Sequence, residues 1–337
     1  MMGKRGAIVL ILGVLILITA LSLLWGRYPH PGFTSLKTLK NDSMAQIVFW
    51  NLRAPRIVTA LLLGASLATS GSVFQTVLGN PLVEPGFLGV SQGAAFGAAL
   101  AILVGLGPWS VPVSAVFFGF AGLLVSWILA KRIRYGGAIL RLVLAGIVSS
   151  ALFSSGLGIL KIMADPRSEL PEITFWMMGG LTGITWGTLR AMAFPPLLSL
   201  VLLLIFRWRV NLMSLDDRSA FALGAAPGRE RAFLVALCVV AVATVTAVAG
   251  IVSWVGLLIP HISRRLVGAD ARASLPLSLV LGAIFVLICD DVARGISSGE
   301  IPLGLVTSFA GAAVFALLMT QGKDRGAPPS GRRGSRR

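Results

Sequence analysis

An all-α, polytopic membrane helical bundle of about ten spans is the fold this sequence predicts, and three observations carry it. Of the 337 residues, 56% are hydrophobic and only 12% are charged, with a mean hydropathy of +0.88. A soluble domain carries about twice that charged share. The apolar residues fall in blocks of about 20, the length of a helix that crosses a bilayer. A β-barrel would instead show alternation over segments of about 10 residues.

The spans are expected near 7–25, 57–78, 84–106, 111–130, 139–161, 190–206, 232–250, 252–266, 276–295 and 302–320. The first, AIVLILGVLILITALSLLW after Lys4 and Arg5, has the flanks of a secretory signal. It is longer than an h-region and no small-residue cleavage site follows it, so it reads as a membrane helix. The eighth is short and contains Pro260, which predicts a broken or tilted crossing. Lysine and arginine set the orientation. With the N-terminus in the cytoplasm, 20 of the 29 fall on the cytoplasmic side, and an even number of spans returns the C-terminus there.

Residues 1–322 therefore read as one transmembrane domain, and KDRGAPPSGRRGSRR (323–337) as a disordered basic tail drawn to anionic membrane lipid. The tail lacks aromatic platforms and any folded module, which argues against a nucleic-acid partner. Cys238 and Cys289 lie inside apolar blocks, and His30 and His261 are far apart, so no metal centre is expected. GxxxxGK[ST] and paired-histidine motifs are absent from the sequence, so the chain reads as a non-enzyme without a cofactor. Energy for transport would come from an ion gradient or from another polypeptide.

Glycines inside the spans, Gly64, Gly71 and Gly282 among them, let helices approach closely and predict one packed bundle. GNPLVEPGFLGVSQGAA (79–95) and SWVGLLIPHISRRLVGAD (253–270) interrupt spans at corresponding places, which suggests an inverted repeat of spans 2–5 and 7–10. In the loop 207–231, Asp216 and Asp217 form a helix start and Gly224 a helix stop, and a second short helix is expected after Pro227. Such a pair either docks a soluble partner or lies on the bilayer. Asp290 and Asp291 are candidates for proton coupling, although Arg294, at i+4 and i+3, offers a local ion pair.

Taken in order, RAPR (53–56), SG and Gln at 70–75, NPL (80–82), RLVLAG (141–146), ALG (222–224), GLLIPHISRRLVGAD (256–270), DDVARG (290–295) and EIPLGLVTS (300–308) resemble one family. It is the FecCD-type permease subunit of iron-chelate and vitamin B12 ABC importers, matched from about residue 50 to 320. The resemblance implies a homodimer with its path on the two-fold axis, two ATPase subunits and a substrate-binding protein on the outer side. It implies ATPase coupling through Asp216, Asp217, Arg218, Ala222, Leu223 and Gly224, and binding-protein docking through Arg53, Arg56 and Arg294. Guanidinium groups suit bidentate carboxylate pairing. A cytoplasmic gate is implied at Ile139 and Leu140, where the best-known relative has small polar residues, and Gly311-Ala312-Ala313 stands where the family often has Gly-Ala-Pro. The substrate implied is a ferric siderophore or related iron chelate; the alternatives are haem, cobalamin or a molybdate-type oxyanion. A proton-driven secondary transporter using Asp290 or Asp291 is the second class.

Overall fold

The computed structural model describes residues 4–320 except 106, 108, 297 and 298; the basic tail 323–337 lies outside the described residues. The helices are α1 (Lys4–Leu24), α2 (Leu36–Asn41), α3 (Ser43–Ile47), α4 (Ala54–Val77), α5 (Val90–Val104), α6 (Ser110–Arg132), α7 (Ala138–Met163) and α8 (Glu169–Met178). They continue with α9 (Trp186–Ile205), α10 (Arg207–Leu212), α11 (Asp217–Ala222), α12 (Pro227–Ala249), α13 (Val255–Val267), α14 (Ala271–Ile296) and α15 (Leu303–Thr320). A two-residue strand pair, Trp25–Gly26 against Gly32–Phe33, is the only sheet among the described residues. Ten of these helices correspond to the ten expected spans. The fold is an all-α membrane bundle.

α4 is the axis of the bundle, buried along almost its whole length. Its sequence makes this possible, because small residues recur on every face between Gly64 and Ser72. A methyl group built on Gly64 would overlap the carbonyl of Gly282 on α14, and one on Gly282 would overlap the carbonyl of Gly64. Gly71 meets Gly256 of α13 in the same way. Backbone therefore touches backbone at both crossings.

The two interruptions share a local geometry. α5, of 15 residues, is capped by Gly89 at φ 79°, and α13, of 13 residues, by Trp254 at φ 73°. Each is shorter than a full crossing and starts from a left-handed residue, as corresponding broken helices in a repeat would. Glycine takes that conformation freely, whereas tryptophan is strained there. The Trp254 N–H donates to Glu84 Oε1 at 2.7 Å, so a carboxylate from the first interruption holds the start of the second.

Three expectations need correction. The eighth span is not broken at Pro260, which lies inside α13; the break is at 250–254. The second short helix is not separate, because Pro227 begins the long α12; the two small helices of the loop are α10 and α11. Span nine starts at Ala271 rather than at Pro276, one turn earlier.

Candidate functional site

One end of the bundle gathers the arginines. Arg53 and Arg56 lie at the start of α4, after a π-helical turn Val48–Arg53, and Asp290, Asp291 and Arg294 lie in the last turns of α14. Arg56 donates from Nε and Nη2 to the Asp290 carboxylate at 2.9–3.1 Å. From Nη1 it donates to both oxygens of Glu300 at 2.7 and 2.9 Å. Asp290 is fully buried, and Glu300 is 36% exposed. Thr182 adds a hydrogen bond to Glu300 at 2.8 Å.

Arg294 binds Ser22 through its carbonyl (2.6 Å) and hydroxyl (2.8 Å), pairs with Asp291, and stands 3.8 Å from Asp290. Arg53 donates to the carbonyls of Leu23, Leu24 and Tyr28 and to Thr34 Oγ1, all at 3.0–3.2 Å. Two of these acceptors are the last residues of α1, and two come from the segment that leaves it. Arg53 and Arg294 are therefore buried and hydrogen-bonded within the chain, and they clamp α1 to α4 and α14. Charged groups removed from water need such complete pairing.

At the opposite end, α10 and α11 form a projecting knuckle. Asp216 caps α11 by accepting from the Arg218 and Ser219 amides at 3.1 and 3.0 Å. The Ser219 hydroxyl, then the Ser219 and Arg218 amides, favour its charged form, so its carboxyl titrates below the usual range. Gly224, at φ 78°, ends the turn, and Asp217 pairs with Arg231. Phe221 and Leu223 are 73% and 61% exposed. Asn211 ties the knuckle to α14, accepting from the Ala271 N–H at 2.7 Å and donating to Asp270 at 2.8 Å. The six coupling residues read from the sequence thus lie together on one exposed surface. Ile139 and Leu140 lie beside it at the start of α7: Ile139 packs against the cluster that holds Leu212 and Ala220, and Leu140 is exposed.

Sequence reasoning missed Gln75 and Arg264 as a working pair. Pro260 has no N–H, so the carbonyl of Gly256 loses its helical partner. Gln75 Nε2 donates to that carbonyl at 3.1 Å and to Leu257 at 3.3 Å, and Gln75 Oε1 accepts from Arg264. The signal was present as a polar residue in an apolar span, although it stands next to the first interruption and serves the second.

The arrangement is a packed bundle with an arginine–carboxylate rim at one end and an apolar knuckle at the other. The FecCD transport family description matches residues 14–321. The chain belongs to the FecCD transport family. Among its relatives, the molybdate import system permease protein MolB of Haemophilus influenzae is 39% identical, over 91% of this chain and 94% of that one. The vitamin B12 import system permease protein BtuC of Klebsiella pneumoniae is 37% identical, over 85% and 86%. A probable iron chelatin transport system permease of Helicobacter pylori is 36% identical, over 83% and 85%. A solved structure described as an inward-facing, metal-chelate type ABC transporter superposes with a TM-score of 0.85 at 38% identity, over 92% of this chain and 97% of that one. This FecCD protein is a multi-pass permease subunit of an ABC importer, and the secondary-transporter class is set aside. Asp290 and Asp291 are ion-pair partners in its rim.

Proposed function

We propose that this permease imports a metal chelate of the ferric-siderophore type as a homodimer with two ATPase subunits and a substrate-binding protein. The observation that carries the coupling reading is the knuckle. A membrane protein that leaves Phe221 and Leu223 in water beside a capped helix has an apolar surface for a soluble partner. The partner hydrolyses ATP, and closure of the paired ATPases moves α10 and α11.

The knuckle faces the cytoplasm of a prokaryote, both termini are cytoplasmic, and the chain lies in the inner membrane. Arg53, Arg56 and Arg294 build the rim that meets carboxylates of the binding protein. Of the three, Arg56 is the one whose partner exchanges most readily, because Glu300 is 36% exposed, against 22% for the Asp291 carboxylate on Arg294, and Arg53 bonds no carboxylate. Ile139 and Leu140 act as an apolar constriction that closes the path on the coupling side.

A molybdate-type oxyanion is the second reading, favoured by similarity to MolB over nearly the whole chain. Uptake of labelled ferric siderophore, molybdate, haem and cobalamin by a deletion strain, with and without the restored gene, separates the substrates. Restoration of ferric chelate uptake alone supports the first reading. Restoration of molybdate uptake alone replaces it with the second.

A further inference from the structure

A cavity of about 850 Å³ opens between α6 and α12 at the knuckle end of the bundle. Phe117, Leu124 and Trp127 of α6 and Val235 and Ala236 of α12 make its apolar walls. Three cations stand around it: Lys131, Arg141 and Arg231. Lys131 lies over the Trp127 ring, 3.3 Å from its centre. Arg231 pairs with Asp217, but its Nε and the Nε of Arg141 are buried without a hydrogen-bond partner. Among the described residues, neither Lys131 nor Arg141 forms a salt bridge with a carboxylate.

Arg141 and Arg231 line a space with one acid, already paired, and each keeps a buried Nε without a partner, so this end of the groove is electrostatically incomplete. Along α6 the walls run from Phe117 to Lys131, which is about 21 Å of helix at 1.5 Å per residue. One bilayer leaflet with its headgroups measures about 20–22 Å. The cations sit at the end where a headgroup would be, and the exposed aromatics lie where acyl chains would be. We propose that this groove holds one anionic glycerophospholipid. Its phosphate is bound by Lys131, Arg141 and Arg231, and its chains lie between α6 and α12. Because Asp217 of α11 shares Arg231 with the headgroup, the lipid also bears on the position of the knuckle.

The test is native mass spectrometry of the full permease–ATPase complex in mild detergent, titrated with dioleoylphosphatidylglycerol, dioleoylphosphatidylcholine or inorganic phosphate. One anionic lipid per permease should be retained about tenfold or more in preference to phosphatidylcholine. In Lys131→Gln/Arg141→Gln the preference should fall to within about twofold while the complex stays assembled. Ala236→Phe, which fills the groove and leaves the cations in place, should remove retention of both lipids. Equal retention of the two lipids by the unaltered complex overturns the proposal, as does a preference that survives the double substitution. Displacement of the lipid by inorganic phosphate would make this a free-anion site. Lipid retention only after the ATPase is stripped away would assign the groove to that subunit.

Discussion

Arg56 at the start of α4 and Asp290 near the end of α14, 234 residues apart in the sequence, form a bidentate ion pair whose carboxylate is fully buried. The pair fixes the two helices at the rim, while Gly64 and Gly282 fix them by backbone contact farther along. α14 begins at the other end of the bundle, where Asn211 binds Asp270 and the Ala271 N–H. One helix therefore joins the knuckle to the rim.

Breaking a buried pair leaves its partner uncompensated. Asp290→Asn should lower the stability of the purified permease by about 3 kcal/mol. Arg56→Met/Asp290→Leu should recover most of that loss, as apolar replacements of buried pairs do. Denaturant unfolding in detergent measures both. Full stability with lost transport in Asp290→Asn would show the pair to be functional instead of structural.

Gln75 replaces the hydrogen bond that Pro260 denies to Gly256. Gln75→Leu should cost about 1–3 kcal/mol, the penalty for an unpaired buried polar group. Pro260→Ala returns an N–H to that carbonyl, so the double variant should be less destabilised than the sum of the single ones. Additive losses in the same unfolding assay would contradict this account of the interruption.

Valine at Gly64 or at Gly282 would force α4 and α14 apart. Each substitution should cost about 3 kcal/mol or more, at the upper end for overpacking. The readout is the yield of monodisperse protein by size exclusion. Normal yield and melting temperature would mean that the two helices are not in backbone contact.

Leu223→Asp changes an exposed side chain and should move stability by no more than about 0.5 kcal/mol. It should nevertheless abolish stimulation of transport by ATP, because it places a charge on the apolar knuckle. Paired melting and uptake measurements separate the two effects. Unchanged uptake would remove α11 from the coupling surface.

Burial alone would raise the Glu300 carboxyl, but the Arg56 guanidinium and Thr182 outweigh it and hold it below the usual carboxylate range. The unfolded chain therefore takes up this proton before the folded one does. The contribution is complete above about pH 4.3, the unfolded value, and is lost as pH falls through the depressed folded value. Glu300→Gln should flatten the acid limb of a stability–pH profile. An acid limb identical to that of the unaltered protein would mean that Glu300 is not paired in solution.

The ten spans were legible because lipid demands long, uncharged runs, and that demand is written into composition. The interruptions at 79–95 and 253–270 were legible for the same reason, as polar or kinking residues where apolar ones are expected. Helix starts were harder to place. Arg229, Glu230 and Arg231 read as loop but form the first turn of α12, and Ala271 starts α14 a turn before Pro276. Pro260 looked like a break because its substitute donor, Gln75, lies 185 residues away in the chain. The burial of Arg53 could not be read, since its main-chain acceptors are carbonyls at the end of α1 and in the aperiodic segment after it. Pairing of Asp291 with Arg294 was visible from spacing, whereas pairing of Asp290 with Arg56 needed the fold.

The central claim is that this chain works as the membrane half of an ATP-driven importer. Purification of the tagged permease from its native cells in mild detergent, with identification of every protein that accompanies it, tests that claim most directly. The account predicts a stoichiometric ATPase subunit bearing a Walker A motif, lost when Leu223 is changed to aspartate. A permease that purifies alone, and that transports in vesicles on a proton gradient without ATP, would contradict it.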